Sequence, residues 1–367
     1  MYIYEFQKEF DAIAPPSIAW KGDNIGLLIG RPESRITNIM VALDLTVEVA
    51  REAKRKKVNC IVTHHPLLFH PLKNITDSSR IGELVLFLTE HRMNVYAAHT
   101  NLDSVQWGVN FVLAQRFGLN DVRILSPLKE SMVSIVVFVP ADHAETVAQA
   151  MHDAGAGTFA KYDRCSFRSN GTGTFRGKAG SDPFIGTPGT VEHVNEVRLE
   201  TIAEQWRTSK IVSAMLKAHP YEEVAYDLIP LLNRNSEYGL GAIGTLSKKM
   251  SQPEFLRMTK KVLGLKGLKF SGKRSSISRV AVCGGSGSEF ISDAVAQGAD
   301  AMVTADLKYH TFQEFESKLL LIDAGHYETE RIVLPALAKK IQEIAKRNGH
   351  SGKIFITQQS TNPVHIL

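Results

Sequence analysis

Three histidines lie within eight residues, THHPLLFH at 63–70, directly after the apolar run Cys60-Ile61-Val62. Neighbouring side chains in a strand point to opposite faces, so His64 and His65 placed where a strand runs out can splay around a bound group. Two further apolar runs end in the same chemistry. NVYAAH leads into TNLD, which closes on Asp103, and LLLIDAG leads into His326, with Glu330 four residues on. An i, i+4 pair shares one helical face with Cβ atoms about 5–6 Å apart. Imidazole and carboxylate together suit divalent ions such as Zn, Fe or Mn, so His64, His65, Asp103, His326 and Glu330 are read as metal ligands. Five ligands exceed what one tetrahedral ion with an open position takes. The expectation is therefore two divalent metal ions per chain, with His64 and His65 serving different ions and Glu330 bridging them. Hydrolysis is the chemistry such a pair supports, because two cations can activate water and offset charge on the attacked centre.

Secondary candidates surround this set. GGSG at 284–287 follows a strand and precedes a helix, so Gly284, Gly285, Ser286 and Gly287 are read as a cradle for a substrate phosphate, with a plain tight turn as the alternative. Asp306 and His310 in TADLKYH also follow a strand and are the candidates for catalysis, through proton transfer or support of a ligand, against ordinary capping. His70, His99 and Tyr327 lie near the proposed ligands and are not taken as ligands. GLGAIG at 239–244 matches G-x-G-x-x-G in form only, since polar NRNSEY precedes it where a dinucleotide fingerprint needs a strand.

The elements that must position these residues read as α/β. Short apolar runs alternate with amphipathic stretches from residue 1 to about 127, and the pattern returns from about 275 to 367. This is the pattern of βαβ units with a largely parallel sheet, its strand ends carrying the ligands at one edge. The long helix ETERIVLPALAKKIQEIAKRNG is expected to close at Gly349. Between the two blocks, SMVSIVVFVP, HAETVAQAMHDAG, DRCSFRSNGTGTFRG, VNEVRLETIAEQ, KIVSAMLKAH and EEVAYDLIPL read β-α-β-β-α-β, a ferredoxin-like α+β unit. The expected organisation is a host domain in two halves, 1–129 and 233–367, with residues 130–232 inserted.

Composition bounds the function classes. At 367 residues, with 44% hydrophobic and 22% charged residues, the chain has the make-up of a globular protein of two or three domains. A formal charge of +5 is too mild and too dispersed to indicate nucleic acid by itself; the run KRKK at 54–57 reads as a solvated last helical turn. Three widely spaced cysteines offer neither a disulfide framework nor a zinc knuckle. With no signal-like leader and no apolar stretch long enough for a membrane span, the expected setting is the cytoplasm.

GDNIGLLIG, THHPLLF, HTNLDSVQWGVN, GLGAIG, VAVCGGSG, DLKYH, IDAGHYETE and the terminal STNP closely resemble the NIF-three-like family, also catalogued as GTP cyclohydrolase I type 2. The resemblance implies a dinuclear metal centre on His64, His65, Asp103, His326 and Glu330. It also implies a ring-shaped homohexamer with metal sites facing its interior. Through AHPYEEVAYDLIPL it implies that the insert is of the PII-like or CutA-like kind. The activity that follows is metal-dependent hydrolysis of a nucleotide, phosphoester or cyclic amidine. Its rival is a regulatory ring whose insert senses a small molecule, or which binds nucleic acid.

Overall fold

A computed structural model of the chain describes residues 1–159 and 161–366. Its strands, in chain order, are β1 (Gly26–Ile29), β2 (Ile39–Ala42), β3 (Cys60–Thr63), β4 (Asn94–Ala97), β5 (Leu119–Leu128), β6 (Met132–Pro140), β7 (Phe167–Arg176), β8 (Val191–Glu204), β9 (Tyr226–Leu231), β10 (Asn235–Met250), β11 (Lys269–Ser271), β12 (Ile277–Ser286), β13 (Ala301–Ala305), β14 (Leu320–Asp323) and β15 (Ile354–Ile356). The chain divides into two compact units, Met1–Pro127 with Glu237–Leu367, and Leu128–Ser236.

The discontinuous unit is α/β, but it holds two sheets where one was expected. The first runs β1-β4-β3-β2-β15, and the second runs β11-β14-β13-β12-β10-β5. β15, β2, β3 and β4 are mutually parallel, as are β12, β13 and β14; β1 pairs antiparallel with β4, β10 with β12 and β11 with β14. Apolar runs announce strands but carry no signal of which strand pairs with which, so the split into two sheets was not legible. Both sheets are buried on two faces where they bear the site. Val280 and Val282 of β12 pack into one cluster with Phe255 and Ile322, while Ala281 and Cys283, which alternate with them, pack into another with Ile291 and Leu321. Alternation within a wholly apolar run is what a sheet covered on both faces produces.

The long C-terminal helix is interrupted. His326–Glu330 forms a short helix, Arg331–Val333 a 3-10 turn, and a new helix spans Leu334–Arg347. Pro335 stands in the first turn of the new helix. Proline has no N–H to bond back into a preceding turn and its fixed φ suits a helix start, so the interruption falls there. Gly349, at φ 61°, follows the end of that helix.

In the continuous unit, β6-α-β-β-α-β9 folds into an antiparallel sheet of order β7-β8-β6-β9, the arrangement of a split β-α-β unit. Val133, Ile135, Val137 and Val139 of β6 point to one face and pack with Val147 and Met151 of the helix Ala144–Asp153 and with Ile211 and Met215 of the helix Thr208–Ala218. None of the described helices is long and apolar enough to cross a membrane.

Candidate metal centre

Residues just beyond the carboxyl ends of β2, β3, β4, β13 and β14 (Asp44, His64 and His65, Asp103, Asp306 and His326) contact one another in a chain that joins the two sheets. Beyond β3 the backbone stays in register: the His64 N–H donates to Ala42 O and the His65 N–H to Leu43 O, at 3.2 and 2.9 Å. Beyond β14, Gly325 turns with φ 83° and starts the helix that carries His326 and Glu330. A side chain at such a φ would be strained, which explains the glycine.

Each imidazole is gripped from behind and aimed inward. His64 Nδ1 donates to Ala98 O at 2.8 Å, His65 Nδ1 to Asp44 Oδ1 at 2.7 Å, and His326 Nδ1 to Asp306 Oδ2 at 2.6 Å. Fixing the Nδ1 proton leaves Nε2 as the inward nitrogen, the usual orientation of a metal-binding histidine. The Nε2 atoms surround Glu330. That of His65 lies 2.9 Å from Oε2, that of His326 3.2 Å from Oε1, and that of His64 3.8 Å from Oε1 and 3.6 Å from Asp103 Oδ1.

These separations do not add up to a satisfied network. His64 Nε2, Asp103 Oδ1 and Glu330 Oε2 are buried and unmatched by any hydrogen bond, and the 2.9 Å approach of His65 to Glu330 lacks hydrogen-bond alignment. Buried polar atoms left unpaired are costly unless something else binds them. Two imidazole nitrogens and two carboxylate oxygens converging without alignment fit a cation better than one another.

The charge balance favours the same occupant. Burial alone would lower the pKa of His65 and His326, but Asp44 and Glu330 carry His65 up to about 10, and Glu330 and Asp306 carry His326 up to about 9. Burial would raise Glu330, yet the three histidines hold it well below the usual carboxylate range, while burial and the neighbouring Glu330 push Asp103 upward. The negative potential that favours a proton at Nε2 also favours a divalent cation there.

His99, set aside on sequence, stands in the cluster. Ring nitrogens of His64, His65 and His99 lie within 4.8 Å of one another, as do ligand atoms of His65, His326 and Glu330, so His65 belongs to both groups. His99 Nδ1 donates to Asp23 Oδ1 at 2.8 Å, repeating the pattern of the other three histidines. The signal was present: His99 and Asp103 share the four-residue spacing of His326 and Glu330.

The remaining candidates separate. Asp306, at the unusual φ of 57°, orients His326, whereas His310 is exposed and meets Gln313 and the Tyr309 ring instead of the cluster. His70 is exposed beside Phe69, and Tyr327 lies under the Arg331 guanidinium. The glycines of GGSG do not form a free phosphate cradle. The Gly284 N–H donates to Asn110 Oδ1 and the Gly285 N–H to Thr329 Oγ1, and Gly284, Gly285 and Ser286 still belong to β12. What these glycines provide is room: at Gly285, with φ 60°, a Cβ would collide with the Glu330 carboxylate. GLGAIG lies inside β10, with no phosphate-binding turn.

The family model described as Duf34/NIF3 (NGG1p interacting factor 3) matches residues 1–363. Relatives named GTP cyclohydrolase 1 type 2 homolog include one from Halalkalibacterium halodurans, 38% identical over 357 residues and covering 96% of each chain. Another, from Bacillus subtilis, is 38% identical over 361 residues, covering 98% of this chain and 96% of its own. Among solved structures, a Bacillus cereus protein related to NIF3 is 38% identical with a TM-score of 0.87, over 100% of this chain and 99% of the other. A Staphylococcus aureus protein is 28% identical with a TM-score of 0.81 over the same shares.

Proposed function

The chain belongs to the Duf34/NIF3 family, and from that premise we propose that it is a metal-dependent hydrolase whose centre holds two divalent cations. His64 and Asp103 would hold one, His65 and His326 the other, and Glu330 would lie between them. When bound, the cations would supply activated water and electrostatic stabilisation of the oxygen that gains charge as a substrate is attacked. Everything else falls to the chain itself. Asp44, Asp306 and the Ala98 carbonyl keep the imidazoles in one tautomer and one orientation, so the inward nitrogens need no rearrangement to bind. His99, backed by Asp23 and only half-buried, is the group best situated to hold or release a proton at Nε2 while substrate is present.

The substrate classes in view are nucleotides, phosphoesters and cyclic amidines, the first in keeping with the name that the relatives carry. The leading support for this reading is the combination of three histidines with engaged Nδ1 atoms and three buried, unpartnered atoms at His64, Asp103 and Glu330. The split β-α-β unit is proposed to be a PII-like accessory domain.

The test is metal analysis of the purified protein, followed by a screen of metal-replete enzyme against those three substrate classes. Two equivalents of metal per chain and one turnover reaction lost on chelation are expected. Absence of stoichiometric metal under replete conditions overturns the centre, and chelation-insensitive turnover overturns the mechanism.

A further inference from the structure

The motif STNP at 360–363 has no part in the ligand set, yet the segment that carries it runs past the centre. Among the described residues no helix or strand follows β15, so residues 357–366 are held by individual hydrogen bonds. The segment starts on the first sheet. The Thr357 N–H donates to Val41 O of β2 at 2.9 Å, and Thr357 Oγ1 donates to Glu52 Oε2 at 2.6 Å. It ends beside the second sheet, where Ile366 O accepts from Lys266 Nζ at 3.4 Å, on the connection between the helix Gln252–Leu263 and β11. No strand of one sheet pairs with a strand of the other, so a segment that touches both can set their spacing.

Between these ends, two consecutive residues grip the ligand carriers of different sheets. Thr361 Oγ1 donates to Asp44 Oδ2 at 2.6 Å, and Asp44 Oδ1 accepts from His65, which follows β3. Asn362 Nδ2 donates to Glu328 Oε1 at 2.9 Å, on the helix that carries His326 and Glu330 beyond β14. Both ends of the Asn362 amide are engaged, since its Oδ1 accepts from the Val364 N–H at 3.0 Å. The other Glu328 oxygen lies over Gly325, where a Cβ would collide with it. Glu328 thus fills the space beside the turn that starts the helix, and Asn362 holds it there.

Between the two grips lies the approach of His65 Nε2 to His326 Nε2 at 3.3 Å, with Glu330 touching both rings. Side chains that share a bound group must be held to within about 0.5 Å, and here they come from different sheets. Hydrogen bonds to ionised carboxylates are short and strong, which suits them to that task.

We infer that Thr361 and Asn362 form a clamp that sets the distance between His65 and the helix His326–Glu330, as positioning residues acting through Asp44 and Glu328. The clamp is a property of the chain alone, and its link to cations rests on the two-cation reading proposed above. A cation between the two carriers favours their docked spacing, and the docked segment presents that spacing to the cation. Such coupling is reciprocal: the factor by which the clamp raises cation affinity is the factor by which the cation stabilises the docked segment.

The test uses the full-length protein, Zn²⁺ as the cation, competition with a chromophoric chelator, and amide hydrogen exchange. Asn362→Asp keeps the size of the side chain but sets a carboxylate against Glu328, and should weaken Zn²⁺ by roughly tenfold, the lower end for a group that orients a ligand. Glu328→Gln keeps an oxygen for Asn362 and should bind Zn²⁺ as the parent does. Combining Asn362→Asp with Glu328→Gln exchanges donor and acceptor, and should restore most of the affinity. In the parent, Zn²⁺ should also slow exchange of the 357–366 amides by roughly tenfold, and in Asn362→Asp this slowing should disappear. Parent-like protection of β3 and β13 identifies a folded variant; Thr361→Val, which removes the other grip without adding charge, replaces Asn362→Asp if that variant is unfolded. Unchanged affinity in Asn362→Asp, no rescue in the double variant, or a segment whose exchange ignores Zn²⁺ would each overturn the clamp while leaving the two-cation reading intact. A parent that takes up no Zn²⁺ overturns that reading instead. The clamp is then judged in metal-free protein, where Asn362→Asp should speed exchange of the Thr329 N–H, which donates to Gly325 O at 3.2 Å; an unchanged rate overturns it.

Discussion

His65 and His326 stand with their Nε2 atoms 3.3 Å apart although 261 residues separate them in the chain. With each Nδ1 proton held by an aspartate, the two Nε2 atoms cannot satisfy one another, and Glu330, 5% exposed, touches both rings. Glu330→Gln replaces a carboxylate oxygen with an amide donor at the point where the imidazoles converge. The variant should stay folded and retain less than half of the parent's metal in elemental analysis. Glu328 is the control: its Oε1 accepts from Asn362 Nδ2 at 2.9 Å, away from the cluster, and Glu328→Gln should keep its metal. The reverse pattern would assign the ligand to Glu328.

Asp44 connects His65 to the C-terminal segment, accepting from Thr361 Oγ1 at 2.6 Å through its other oxygen. Partners of this kind set ligand orientation, and losing one typically costs about 10–100-fold in metal affinity. Asp44→Asn should fall in that range in competition with a chromophoric chelator, and Thr361→Val should show a smaller loss of the same sign. Unchanged affinity in both would mean that His65 holds its orientation without the C-terminal segment.

Glu52 ties the same segment down farther out. Its carboxylate meets Lys56 Nζ and Thr357 Oγ1, both at 2.6 Å, and the Gln358 N–H, and its side chain is 3% exposed. Burial raises its pKa, but these donors outweigh that and the net shift is downward from 4.5. A depressed folded-state pKa contributes stability above the unfolded value that fades as pH falls through the folded one. Glu52→Gln should therefore cost about 1–3 kcal/mol at neutral pH. The gap between mutant and parent in urea melts should close as pH falls below about 4.5; a gap constant with pH would mean that packing, not charge, carries the effect.

The split β-α-β unit should be removable. A Cβ at Gly239 would crowd Ser126 O and the Pro127 Cα, so the strands leading out of and back into the discontinuous unit run side by side at the junction. Joining Pro127 to Glu237 through a short Gly-Ser linker should give a folded protein with the parent's metal content by elemental analysis. A folded deletion protein that holds no metal would show that the two units are not modular.

Much of this centre was legible because strand ends announce themselves: an apolar run followed by His-His or by Asp-Ala-Gly-His can be read without coordinates. The split β-α-β unit was legible for the same reason, each element carrying its own period. What stayed hidden depends on neighbours. Nothing in NVYAAH says that His99 reaches back to Asp23, 76 residues earlier, and nothing in GGSG says that its N–H groups meet Asn110 and Thr329. Strand runs likewise do not disclose that β15 joins the first sheet while β5 joins the second.

The pairing of β15 with β2 and the 261 residues between His65 and His326 also have a meaning in time. At about 5–20 residues per second of synthesis, roughly 10–50 s pass between the two histidines. Throughout that interval His64 and His65, joined early by Asp103, have emerged without Glu330, and β2 has an uncovered edge. A nascent chain therefore offers imidazoles to passing ions before the carboxylate that completes the charge balance exists. A metal held as proposed would then be selected only once the centre is finished, so the ion pool met after translation would matter more than the pool at the start.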